Sequence, residues 1–189
     1  VQRIVFPEGG RVLALDPAST TGFAYGAPDA DAPEIGSVKF SREHDVRADV
    51  FGRAVAWWRM RMQTRQPHLL VIEPPIPPGD LWGKSNYDST VILHGLYAIF
   101  IGLAMEWPMP VIEAPTRTWR KYFLGMGNLR RDEAKLAAKR MCRRLKWGDP
   151  EKLDDNAADA AGMWAWGCSQ VEPKLVRRIE PLFNVGGAQ

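Results

Sequence analysis

Asp16, Glu73 and Asp159 are the residues of this chain whose types and positions could do chemistry together. Asp16 closes the apolar run Val12-Leu13-Ala14-Leu15, and Glu73 closes a second run, Leu69-Leu70-Val71-Ile72. Asp159 lies in an Ala-rich segment, DDNAADAAGMWAWG (154–167). Carboxylates brought close together repel and cannot all ionise unless a cation shares the site. Clustered oxygen ligands are what Mg²⁺ or Mn²⁺ prefers. The pattern reads first as that of a metal site.

Gathering these acids requires particular elements. Short apolar runs bounded by turn formers predict fully buried strands in a parallel arrangement. A proline follows each strand-final acid (Pro17, Pro74) and stops the strand there. Parallel neighbours would bring Asp16 and Glu73 out at the same carboxyl edge, where open α/β sheets place their ligands. Strands are predicted at 11–16, 21–27, 34–40, 68–73 and 110–114, and helices near 45–65, 88–105, 131–146 and 156–169. In the first helix Phe51, Val55, Trp58 and Met62 recur at helical spacing. Between the fourth strand and the second helix runs a Pro/Gly-rich loop, PPIPPGDLWGKSN (74–86).

The bulk properties fit one domain with a substantial core: 189 residues, 46% hydrophobic and 25% charged. The domain is expected to span 1–189, with its core at 11–167 and a weakly patterned tail at 170–189. A net charge of +3 says little about partners, but its distribution says more. Eleven Lys and Arg lie between Arg117 and Lys146 against Asp132 and Glu133. Aromatic residues interleave the first half of this belt (Trp119, Tyr122, Phe123), as a polyanion-binding surface requires. Cys142 and Cys168 lack ligand spacing and partner histidines, which fits buried thiols in a reducing compartment. His44 and His68 read as surface residues and His94 as part of the apolar helix. No secretory signal is visible at the start, and the expected location is the cytoplasm, at the nucleoid or within a virus-infected host. Residues 89–105 carry no formal charge, but the run is short for a membrane span and is read as a buried helix with no membrane partner. A helix apolar nearly all round is wrapped by its own domain or covered by a second subunit; a homodimer through 88–105 is favoured.

Five segments in order resemble the RuvC family of Holliday junction resolvases, within the ribonuclease H-like superfamily. LALDPASTTGFAYG (13–26) is similar to the family's first-strand signature and LLVIEPP (69–75) to the strand bearing its second acid. KSNYDSTVILHGLYA (84–98) resembles the opening of the dimer helix, and PTRTWRKYFLGMGNLRRDEAK (115–135) the basic DNA-binding stretch. Arg120 and Arg131 stand where the family usually carries lysines. DNAADA (155–160) resembles the last acidic motif, except that Asn156 replaces the usual Asp or His three residues before the final Asp.

The resemblance implies an α/β, ribonuclease H-like fold: a five-stranded mixed sheet, three antiparallel strands then parallel strands, with helices on both faces. It also implies a DNA recombination and repair nuclease that resolves four-way junctions. The expected products of its paired symmetric nicks are 5′-phosphate and 3′-hydroxyl ends. Two divalent ions can activate water and stabilise the departing oxygen. Asp16 would bridge them and Glu73 and Asp159 flank them, with Asn156 or Asp155 completing the shell. Asp154 and Asp155 have an alternative role as helix caps. Arg117, Arg120, Lys121, Arg130 and Arg131 are the candidate phosphate contacts, and Trp82, Lys84 and Tyr87 the candidate junction-centre contacts. Two other activities remain open: a ribonuclease H-like nuclease acting on flaps, branched DNA or RNA/DNA hybrids, and a non-catalytic junction-binding protein. DPASTTGFA also resembles a phosphate loop of the actin and sugar-kinase fold, but that fold needs a second lobe and a second phosphate loop, which these 189 residues are not expected to supply.

Overall fold

The computed structural model describes residues 4–76, 87–174 and 179–183. Its strands are β1 (Val12–Asp16), β2 (Thr20–Gly26), β3 (Glu34–Lys39), β4 (Leu69–Ile72) and β5 (Val111–Glu113). They form one sheet in the order β3-β2-β1-β4-β5. β1 pairs antiparallel with β2, and β2 with β3; β1–β4 and β4–β5 are parallel. The helices are α1 (Arg47–Arg65), α2 (Tyr87–Glu106), α3 (Thr116–Leu124), α4 (Arg131–Leu145) and α5 (Asp155–Val171). This is the expected mixed sheet with helices on both faces.

Side chains alternate between the two faces of a strand. Leu13 and Leu15 of β1 and Leu70 and Ile72 of β4 join Phe40, Trp58, Met62 and Phe100 beneath α1 and α2. Val12, Ala14, Leu69 and Val71 join the side chains of α3, α4 and α5 on the other face. Continuing that alternation by one step, Asp16 follows Ala14 and Glu73 follows Val71, so both acids belong to the α5 face. Because Leu15 pairs with Ile72, the two acids emerge side by side. The Glu73 N–H donates to the Leu15 carbonyl at 3.2 Å, carrying the parallel ladder one residue past β4.

Three features differ from expectation. α2 has 20 residues and is long and apolar enough, by length and composition, to cross a membrane. In the fold it instead packs one face on α1, and only Leu96, Phe100, Leu103 and Ala104 are fully buried. An apolar composition all round therefore does not mean burial all round. Second, the segment after β5 forms α3, whose inward residues Trp119 and Phe123 lie one turn apart. Third, part of the tail is docked: the Phe183 N–H donates to the Leu124 carbonyl at 2.9 Å, and Ile179 and Leu182 pack on the core. Gly125 makes this possible. Its φ is +90°, and a Cβ there would overlap the Phe183 carbonyl.

Candidate active site

α5 brings the third acid close to the sheet because small residues make up much of its buried surface. Ala157, Ala158, Ala160, Ala161 and Ala165 are buried, as are Gly162 and Gly167. A Cβ on Gly167 would overlap Val71, and one on Gly22 of β2 would overlap the Asn156 carbonyl. Gly22 is also the register partner of Asp16. One glycine thus lets the first turn of α5 descend onto the strand beside the first acid.

That first turn is held from two sides. The Asp154 carboxylate caps α5, accepting from the Ala157 N–H at 2.8 Å and from the Ser37 hydroxyl of β3. Asp155 accepts from Lys135 at 3.0 Å and Lys139 at 2.7 Å, both on α4. The Lys139 hydrogen bond leads in holding the Asp155 carboxyl below the usual carboxylate range. The capping role falls to Asp154, and Asp155 is committed to α4. Asn156 is half-buried at the start of the helix.

Asp159 is 6% exposed, and its Oδ1 is buried with no hydrogen-bond partner. Burial pushes its carboxyl up to about 7, against the downward pull of Arg120. Part of the Asp16 surface still meets solvent, yet the protein packed around it outweighs that opening. Burial drives its carboxyl well above the usual range, and the nearby Glu73 and Asp159 charges push it further the same way. Glu73 itself accepts from the Thr116 hydroxyl at the start of α3. The Glu73 charge therefore pushes both Asp16 and Asp159 upward, on top of their burial.

Among the described residues, no three His, Cys, Asp or Glu side chains are drawn close enough to enclose an ion. Arg120 of α3 stands against Asp159 instead, Nη2 to Oδ2 at 3.7 Å. The donor set still suits a hard divalent cation: oxygens alone, an orphaned buried Oδ1, and carboxyls whose ionisation a positive charge would relieve.

The candidate DNA contacts divide. Arg117, Lys121, Arg130 and Arg131 are exposed. Arg117 and Lys121 line a shallow surface cleft with Thr118, Tyr122 and Trp166. Arg120, by contrast, has a side chain only 14% exposed, sits over the Trp119 ring and belongs to the acidic site. Tyr87 is exposed at the start of α2 beneath the Arg47 guanidinium. Trp82 and Lys84 lie outside the described residues.

Sequence reasoning missed Thr116 and Gly22. Thr116 had a signal, the hydroxyl that follows Pro115 just past a strand end, but no helix was expected there. Gly22 lies inside the quoted motif, and its role shows only once α5 is placed. Glu113 also ends a parallel strand. Its register partner is Ile72, so it faces α2, where the Tyr97 hydroxyl donates to it.

No protein-family profile and no curated protein sequence matches the chain. Solved structures do. Thermus thermophilus RuvC in complex with a Holliday junction substrate aligns over 86% of this chain and 97% of its own, with TM-score 0.63 and 15% identity. A second T. thermophilus RuvC structure covers 81% and 92%, with TM-score 0.57 and 16% identity. The yeast mitochondrial Holliday junction resolvase covers 93% and 85%, with TM-score 0.59 and 12% identity. At such identities the likeness concerns architecture: the chain has the ribonuclease H-like fold of the RuvC structures over most of its length.

Proposed function

We propose that the chain is a structure-selective endonuclease that resolves four-way DNA junctions by metal-dependent hydrolysis, leaving paired nicks with 5′-phosphate and 3′-hydroxyl ends. The observation that carries this reading is the meeting of Asp16, Glu73 and Asp159 on one face of the sheet, at the carboxyl ends of its two central parallel strands. Solved structures of like fold include RuvC in complex with a Holliday junction substrate and a mitochondrial Holliday junction resolvase.

Asp16, Glu73 and Asp159 would hold Mg²⁺ or Mn²⁺, with the Asn156 amide oxygen as a neutral fourth donor. Once bound, the ions supply an activated water and charge stabilisation at the departing 3′ oxygen. The protein fixes the donors. Thr116 orients Glu73, and the Asp154 cap and the α4 lysines hold the turn of α5 that presents Asp159. Arg117, Lys121, Arg130 and Arg131 would meet phosphates, so affinity should fall as salt rises. The outer face of α2 would be covered by a second copy of the chain, setting two active sites in two-fold symmetry for the two strands to be cut. Both cysteines are buried with their thiols pushed up, to about 12 for Cys142, in keeping with action in the cytoplasm.

The test is cleavage of a synthetic immobile four-way junction against a matched linear duplex in Mg²⁺ or Mn²⁺. Paired, ligatable nicks in the junction alone are expected. Preference for flaps or RNA/DNA hybrids would move the chain to another nuclease branch. Binding without cutting in either metal would make it a junction-binding protein, a reading that the Arg120–Asp159 pair and Asn156 favour.

A further inference from the structure

The pair between Arg120 and Asp159 is incomplete on both sides. Asp159 sits within the Ala-rich side of α5, 6% exposed, and Arg120 reaches it from α3 with a single contact of 3.7 Å. That is longer than a charge-assisted hydrogen bond. On one partner, Asp159 Oδ1 is buried and accepts nothing; on the other, Arg120 Nε is buried and donates to nothing. A buried guanidinium and carboxylate that face each other normally use their fork geometry to satisfy both. Here the unsatisfied atoms are of opposite kind: one asks for a cation or donor, the other for an anion.

A divalent ion arriving with a DNA phosphate would satisfy both atoms at once. The ion would take Asp159, and the phosphate would take Arg120. Changing acceptor requires the guanidinium only to turn. It rests over the Trp119 ring, with its carbon 5.2 Å from the ring centre, so it keeps a stacking partner as it changes acceptor. Lys135 and Lys139 have no such role, because both are engaged by Asp155.

On the reading of this site as a metal-dependent junction nuclease, we propose that Arg120 is a displaceable counter-ion. It holds Asp159 in the metal-free protein, weakens ion binding there, and passes to a DNA phosphate when metal and substrate come together. Metal loading is thereby linked to substrate: without DNA, an ion must first displace a fixed positive charge.

The experiment measures Mn²⁺ binding without DNA, from the paramagnetic resonance signal of the free ion. It compares the wild type with Arg120→Gln, Arg120→Met and Arg120→Lys. Both neutral variants should bind Mn²⁺ more tightly, by roughly fivefold or more, the low end of ordinary coupling between sites. Arg120→Lys restores the charge and should return most of the way to the wild-type value. The gain should vanish when Asp159→Asn is added to Arg120→Gln. Single-turnover junction cleavage should nevertheless slow in the neutral variants, since the phosphate loses its partner. Arg120→Met keeps the apolar stem on Trp119, so it carries the test if the Gln variant folds poorly. Unchanged or weaker Mn²⁺ binding in the folded neutral variants would overturn the proposal. If the wild type never cuts junctions yet the neutral variants still gain affinity, the nuclease reading falls and the counter-ion role of Arg120 stands.

Discussion

The two faces of the sheet meet their helices through different contacts. Under α1 and α2 the core is made of large rings: Phe100 packs within about 6 Å of Phe40, Trp57 and Trp58, ring centre to ring centre. Under α5 large rings are present too, Trp164 and Trp147 among them, but alanines and glycines set the approach, and the helix lies so close that Gly22 and Gly167 leave no room for a methyl group. Bulky packing contributes burial, and each large side chain fully removed from water is worth about 1.5–3 kcal/mol. Close packing by small residues buries less per residue but fixes position to within a methyl group. The acids are on the second face. Placement of the acids thus rests on the close-packed contact of α5, and a substitution should be felt according to the contact it alters.

The largest effect should come from removing the central acid. Asp16→Asn should lower junction cleavage on the order of 10³-fold or more, equivalent to about 4 kcal/mol in the barrier. Junction binding in a gel-shift assay should survive; loss of binding and of folding together would make Asp16 structural. On the aromatic face, Phe100→Ala should cost about 3–5 kcal/mol in denaturant unfolding. Cleavage per folded molecule at low temperature should be nearly intact. On the small-residue face the balance should invert. Gly22→Ala should cost only about 1–3 kcal/mol in the same unfolding measurement, yet reduce cleavage far more than Phe100→Ala does. Equal activity losses in the two variants would break the comparison.

A smaller effect should appear with pH. Burial raises the folded Asp159 carboxyl to about 7, above its unfolded value, and raises Asp16 in the same direction. The folded protein therefore binds these protons more tightly than the unfolded chain. Their stabilising contribution is complete below about pH 4 and is lost as pH rises through about 7. Added Mg²⁺ favours the ionised acids, so it should raise the melting temperature more at pH 8 than at pH 5. A shift independent of pH would detach these acids from metal binding. Smallest of all, Lys121→Ala should lower the salt slope of junction affinity by about one and leave stability unchanged.

Most of this arrangement was legible in the residues. The two central strands followed from apolar runs and the prolines that close them, and the edge shared by Asp16 and Glu73 followed from the parallel pairing. What was not legible depended on tertiary approach. α2 reads as apolar all round, and nothing in its composition says which side meets α1. Arg120 belongs to a run of cations and is distinguished only by its place on α3, between Trp119 and the acid. Asp154 and Asp155 differ by one residue and go to different partners, Ser37 and the Ala157 amide for one and two lysines for the other. A helix rotation decides that assignment.

The position of α5 in the order of elements also governs when the site comes into being. Asp16 and Glu73 are joined once β1 and β4 pair, which needs only the first 73 residues. The helix that carries Asp159 is the last of the described helices and strands, and it closes over β1, β2, β3 and β4. As the chain emerges from the ribosome, the face it will cover stays bare until more than 80 further residues have been made. A nascent or truncated chain would thus present two acids without the third. Cutting activity would be withheld until the hydrophobic face is sealed.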